Sequence, residues 1–185
     1  EYHGPRSQMM RCIDFPTMVK DGSGWGAMAG VSAALLAKAG FTGAPALVWE
    51  GADVADLWRD LGKRWRIMEM YFKPYPVCRW AQPPITASLG LLKKHGIKGA
   101  DVTQIEVSTF HNAVRLATRT PKSTEEAQYS LPFPVAAAIV HGKVTAREVD
   151  GKGLTDPRVL KLARGMKLTE DLSLTAEVPP RRLAR

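Results

Sequence analysis

Apolar residues recur along the chain at helical and at strand spacing, and glycine and proline divide it into about six elements. The first stretch, Glu1 to Lys20, carries Pro5 and Pro16 and few periodic apolar positions. It leads into Asp21-Gly22-Ser23-Gly24, a turn cluster in which Ser23 is a good N-cap. The helix predicted from Trp25 to Ala39 is made mostly of Ala, Met, Leu and Val, and Gly40 supplies its stop. Because it is apolar nearly all round, it is expected to be buried. Val54, Leu57, Trp58 and Leu61 share one face of a short amphipathic helix over Ala52 to Leu61, ended by Gly62. Trp65 to Phe72 alternates large apolar with polar side chains over part of its length, which predicts a strand running to Pro74 and Pro76.

In the second half, Ile85, Leu89 and Leu92 set a helix that runs to His95 before Gly96. Ile105, Val107 and Thr109 alternate with Glu106 and Ser108 in the clearest strand of the chain. Ser123-Thr-Glu-Glu126 offers a capping box for a long helix to about Val140, with a kink or break expected at Pro132 and Pro134 because each lacks a helical donor. Asp156-Pro157 starts a last helix through Ala163, aspartate as cap and proline in the first turn. Leu172 to Val178 reads as a strand-like segment ahead of Pro179 and Pro180.

Composition narrows the classes. The 185 residues, 45% of them hydrophobic, suffice for a packed core of one ordinary domain or two small ones. The longest mostly apolar stretch, Gly26 to Ala37, falls short of the roughly 20 residues that a bilayer span requires, and no leader opens the chain, so a soluble cytoplasmic protein is expected. Cys12 and Cys78 show neither CxxC spacing nor a companion histidine cluster, which signals no disulfide scaffold and no zinc site. The net charge of +8 admits nucleic-acid binding, but the lysines and arginines are scattered and do not interleave with aromatics on one element. An anionic small-molecule substrate accounts for the same excess.

Two segments are able to carry chemistry. Met18 to Gly30 sets Lys20 against a glycine-rich turn that opens a helix, where backbone donors and a fixed charge converge on one anion; it is neither a Walker loop nor a dinucleotide fingerprint. Spacing alone favours a well-capped helix beside an exposed lysine. Tyr71 to Pro83, YFKPYPVCRWAQP, holds Lys73 and Cys78 in a loop stiffened by prolines, a place for fixing a carboxylate or, alternatively, an ordinary connection with Cys78 and Trp80 as packing. His3, His95, His111 and His141 lack metal-ligand spacing; His111, just past the clear strand, is the one placed where a site residue would be. Tyr129 reads as core, its hydroxyl needing a partner.

The blocks from EYHGPRSQMM through AGFTG, then YFKPYPVCRWAQP, then TFHNAVRLATRTPKSTEEAQYSLPFPVAAAIVHG resemble consecutive signatures of MmgE/PrpD proteins. The resemblance implies an α+β class: the end of an all-helical domain over residues 1 to about 64, then a small α+β domain over 65 to 185, both incomplete, with the active site in the cleft between them. It implies a lyase of propionate metabolism, a 2-methylcitrate dehydratase before an iminodisuccinate epimerase or cis-aconitate decarboxylase. Such enzymes act on small polycarboxylates without metal or organic cofactor, commonly as homodimers, with no nucleic acid or membrane partner.

By the same resemblance Lys20 and Lys73 are the active-site lysines that bind substrate carboxylates, with Ser23, Cys78 and Arg115 as further substrate-binding candidates. Cys78 stands where the decarboxylase branch has histidine, and Arg115 falls near a tyrosine position of that branch, so decarboxylation is the least favoured activity. The sequence opens inside a signature block and ends at the lead-in to a further strand. A fragment is therefore expected, inactive by itself, since two lysines supply electrostatics without the groups that move a proton.

Overall fold

The computed structural model describes residues 12–18, 23–175 and 183–185. They fall into two compact units: one spans Ser23–Phe72, and the other holds 73–185 together with 12–18.

In the first unit, helix α1 (Ser23–Lys38) begins two residues before Trp25 and stops two residues before Gly40. The expectation that it is buried fails for its described side chains, including Met28, Val31, Leu35 and Leu36, which are exposed because no other described element of this unit packs along it. The short helix α2 (Leu47–Glu50) places Trp49 against Trp58, ring centroids 4.2 Å apart. The helix predicted over Ala52 to Leu61 shrinks to a 3-10 turn, Ala55–Leu57. The strand predicted over Trp65 to Phe72 is a correction: Arg66–Glu69 form a 3-10 turn, tied by ion pairs of Arg64 with Glu69 and of Arg66 with Asp60. Alternation there has no neighbouring strand to pair with, so local ion pairing sets the backbone.

The second unit is α+β. Its elements are α3 (Gln82–His95), β1 (Glu106–Thr109), α4 (His111–Val114), α5 (Thr124–Gln128), α6 (Pro132–His141), α7 (Pro157–Gly165), β2 (Lys167–Glu170) and α8 (Leu172–Thr175). β1 and β2 pair in parallel with Glu106 opposite Lys167 and Thr109 opposite Glu170. Residues 183–185 add to the other side of β1: Ser108 N and Arg185 N each donate to the other residue's carbonyl, at 2.8 and 2.9 Å. Strand alternation holds, with Val107 and Thr109 buried and Glu106 exposed. The strand expected at Leu172 to Val178 is instead helix α8 as far as Thr175, and 176–178 lie outside the described residues. Pairing with β1 draws the strand back to Lys167–Glu170, and Asp171 then starts the helix by accepting from Ser173 N.

Helix α6 is the centre of this unit, with every residue from Pro132 to Ile139 buried. It packs against α3 and α7. The expected long helix from Ser123 is broken in two, because Pro132 and Pro134 occupy the first turn of α6, where a helix needs no internal donors. The Phe133 amide left there donates to Ser130 Oγ at 3.0 Å. At the other end Gly142, at φ 70°, closes the helix with its amide on Ala138 O. The Ser123 cap forms as predicted, accepting from Glu126 N, while the Glu126 carboxylate takes the Lys122 amide.

The predicted Asp156 cap forms as well, accepting from Arg158 N at 2.9 Å. The Arg158 side chain holds the Asp156 carboxyl down to about 2, and His141 Nε2 lies 3.2 Å away. Close approach fixes one glycine: a Cβ on Gly99 would lie 2.0 Å from the Ile139 carbonyl oxygen.

Denaturant unfolding should therefore report a loss of about 3–5 kcal/mol for Phe133→Ala and about 1–3 kcal/mol for Gly99→Ala. Asp156→Ala should cost about 1 kcal/mol near pH 6. A depressed carboxyl stabilises above its unfolded value, near 3.8, and loses that contribution as pH falls through about 2. The gap between wild type and Asp156→Ala should therefore shrink between pH 4 and 2; a constant gap would remove the ionic part of the cap.

Candidate functional site

The loop from Lys73 to Ala81 enters α3 between two prolines and a 3-10 turn, Arg79–Ala81. Its shape is held from inside by Gln82, which is 5% exposed. Gln82 Nε2 donates to Tyr75 O at 2.9 Å and to Val77 O at 3.0 Å, and its Oε1 accepts from Tyr75 N at 3.2 Å. Lys73 Nζ donates to the same Val77 carbonyl at 3.1 Å. An ammonium has three donors, so two remain for a ligand after this bond.

Backbone hydrogen bonds join this loop to the rest of the unit. Cys78 N donates to Gln128 O at 2.8 Å, and Leu131 N donates to Leu116 O at 2.8 Å. The bend between α5 and α6 thus gathers the Lys73 loop on one side and the segment that carries Arg115 on the other. Trp80 meets Phe110 edge to face at 6.0 Å across the same region. Cys78 is half-buried and packs against the core. Below Arg115, Ser130 Oγ donates to Thr118 O, and Arg119 donates to the carbonyls of Ala163 and Met166 at the end of α7. A guanidinium on the last carbonyls of a helix suits both their orphan acceptors and the helix dipole.

Arg115 is partnered by Asp14, its Nη2 lying 2.7 Å from each carboxylate oxygen. Cys12 and Ile13, beside that aspartate, are buried in the core of this unit. Of the predicted site residues, Cys78 is tied by its amide to Gln128, Lys73 sits on the same loop, and Arg115 directly precedes Leu116, whose carbonyl takes the Leu131 amide. Ser23 opens α1 in the other unit. Lys20 lies outside the described residues.

His111, at the end of β1, sits 3.0 Å from Glu170 Oε2 through Nδ1, and Thr175 Oγ1 donates to Glu170 Oε1 at 3.0 Å. The His111 hydrogen bond, with Thr175 behind it, holds the Glu170 carboxyl below its usual range. This pair joins the carboxyl ends of the two parallel strands and is exposed. Tyr129 is buried, as predicted.

Sequence reasoning missed Gln82, Asp14 and Arg119. Gln82 carried one usable signal, a long polar side chain directly before Pro83 and Pro84 at a helix start; Asp14 and Arg119 carried none. Among the described residues no group of three or more His, Cys, Asp and Glu is placed to hold a metal ion, and no helix is long and apolar enough to cross a membrane.

None of the curated proteins matches the chain. The family model of the MmgE/PrpD C-terminal domain matches residues 75–185, more than half of its length, and takes in Cys78, Gln82, Arg115 and the α5–α6 bend. The chain belongs to the MmgE/PrpD family.

Proposed function

We propose that this chain provides carboxylate-binding groups of a lyase for small polycarboxylates, acting in the manner of a 2-methylcitrate dehydratase. The observation that carries the reading is Lys73, an ammonium oriented by a neutral carbonyl on a loop locked to the core. Such a group meets an anion with its charge intact and little reorganisation. Family membership supports the general class, since the family includes dehydratases and related enzymes.

In a dehydration a proton leaves the carbon next to a carboxylate, a hydroxyl leaves the neighbouring carbon with a second proton as water, and a double bond forms. Negative charge grows on the carboxylate side as the C–H bond breaks, so a cation fixed there lowers the barrier. In this reading Lys73 and Lys20 hold carboxylates, Cys78 and Arg115 are further substrate-binding groups, and the proton transfers fall to other groups.

Calorimetric titration of the chain with 2-methylcitrate, citrate, cis-aconitate and iminodisuccinate tests this. At least one should bind, and Lys73→Ala should weaken it about tenfold or more, the scale of a charged hydrogen bond. An unchanged dissociation constant would remove Lys73 from the site, and no heat with any of the four acids would sink the reading.

A further inference from the structure

We infer that Gln82 is the positioning residue of the candidate site, setting the direction of the Lys73 ammonium through the one carbonyl that both side chains hold. The inference rests on the assignment of Lys73 as a carboxylate-binding group.

Gln82 satisfies three backbone groups from a buried position: the amide and carbonyl of Tyr75 and the carbonyl of Val77. Only one orientation of its amide works, because reversing it would set the side-chain oxygen against two carbonyl oxygens. Val77 is itself buried, and its amide donates back to Tyr75 O at 2.9 Å, so the turn carrying this carbonyl closes on itself. Both lone pairs of the Val77 oxygen are then spoken for, one by Gln82 Nε2 and one by Lys73 Nζ. Lys73 is bound where Gln82 aims that oxygen. Without Gln82 the Tyr75 amide loses its partner, the Tyr75 carbonyl keeps only the Val77 amide and the Val77 carbonyl keeps only Lys73, so the turn loses the bonds that fix its direction.

No ion pair involving Lys73 is present among the described residues to hold its direction in place of this bond. A residue that only supported the fold would affect Lys73 no more than any other lysine. The test follows from that difference. Gln82→Met keeps the length of the side chain and removes all three hydrogen bonds. Pulse acetylation read by peptide mass spectrometry should show Lys73 modified about fivefold faster in this variant, the scale of one net hydrogen bond. Lys93, exposed on α3, serves as the internal reference and should not change. The milder Gln82→Asn, which keeps the amide and loses its reach to Val77, should shift the Lys73 rate in the same direction and replaces Gln82→Met if that variant does not fold.

Citrate titration of the cycle Gln82→Met, Lys73→Met and the double variant supplies the second readout. The loss of affinity from Gln82→Met should vanish in the Lys73→Met background. A persisting loss there, or an unchanged Lys73 acetylation rate in a folded variant, overturns the inference. If the unaltered chain takes up none of the four acids, the carboxylate reading falls, while the acetylation rate still decides whether Gln82 directs Lys73.

Discussion

Helix α6 has to be buried on all sides, and the order of the second unit follows from that constraint. A helix of Pro, Phe, Val, Ala and Ile has no face to give to water, so it needs neighbours around it and partners for its polar ends. α3 and α7 supply the neighbours. Ser130 Oγ and the left-handed Gly142 close the two ends, and the proline donors that would have been orphaned in the first turn do not exist. The bend that makes this entry possible is the same one whose carbonyl at Gln128 and amide at Leu131 gather the Lys73 loop and the Arg115 segment. Site geometry here is a by-product of how a wholly apolar helix is started.

What was legible in the chain was its punctuation. The Ser123 and Asp156 caps and the Gly96 stop act at a distance of a few residues, and each lies where the pattern put it. The clear strand was legible too, because alternation at Ile105 to Thr109 faces a core that exists. Trp65 to Phe72 shows the same alternation and forms no strand, since side-chain period describes a surface and cannot supply the neighbouring strand. β2 fails in the opposite way: Lys-Leu-Thr-Glu has little strand character and becomes one because β1 offers it a ladder.

The site divides along the same line. Lys73 and Cys78 stood out because prolines around them announce a rigid loop. Gln82 and Lys73 are close in sequence, yet their connection passes through a carbonyl oxygen, which no side-chain pattern encodes. Asp14 meets Arg115 across 101 positions of the chain, and Arg119 reaches α7 across more than 40. Some of the basic residues are used within the molecule, Arg115 on Asp14, Arg158 on Asp156 and Arg119 on the carbonyls that end α7, and the net excess of +8 remains beyond the two ion pairs.

That internal use distinguishes Arg115 from Lys73. Arg115 is oriented by a carboxylate, so a substrate carboxylate that binds it competes with Asp14 for the same charge. Lys73 is oriented by a carbonyl dipole, which fixes direction without neutralising the ammonium. Among the described residues no carboxylate is paired with Lys73 for an incoming anion to displace. The carbonyl is placed by a buried glutamine through three hydrogen bonds, that to Val77 buried and the two to Tyr75 part-buried. On electrostatic grounds the proposed role of carboxylate anchor suits Lys73 better than Arg115, whose charge is shared with Asp14.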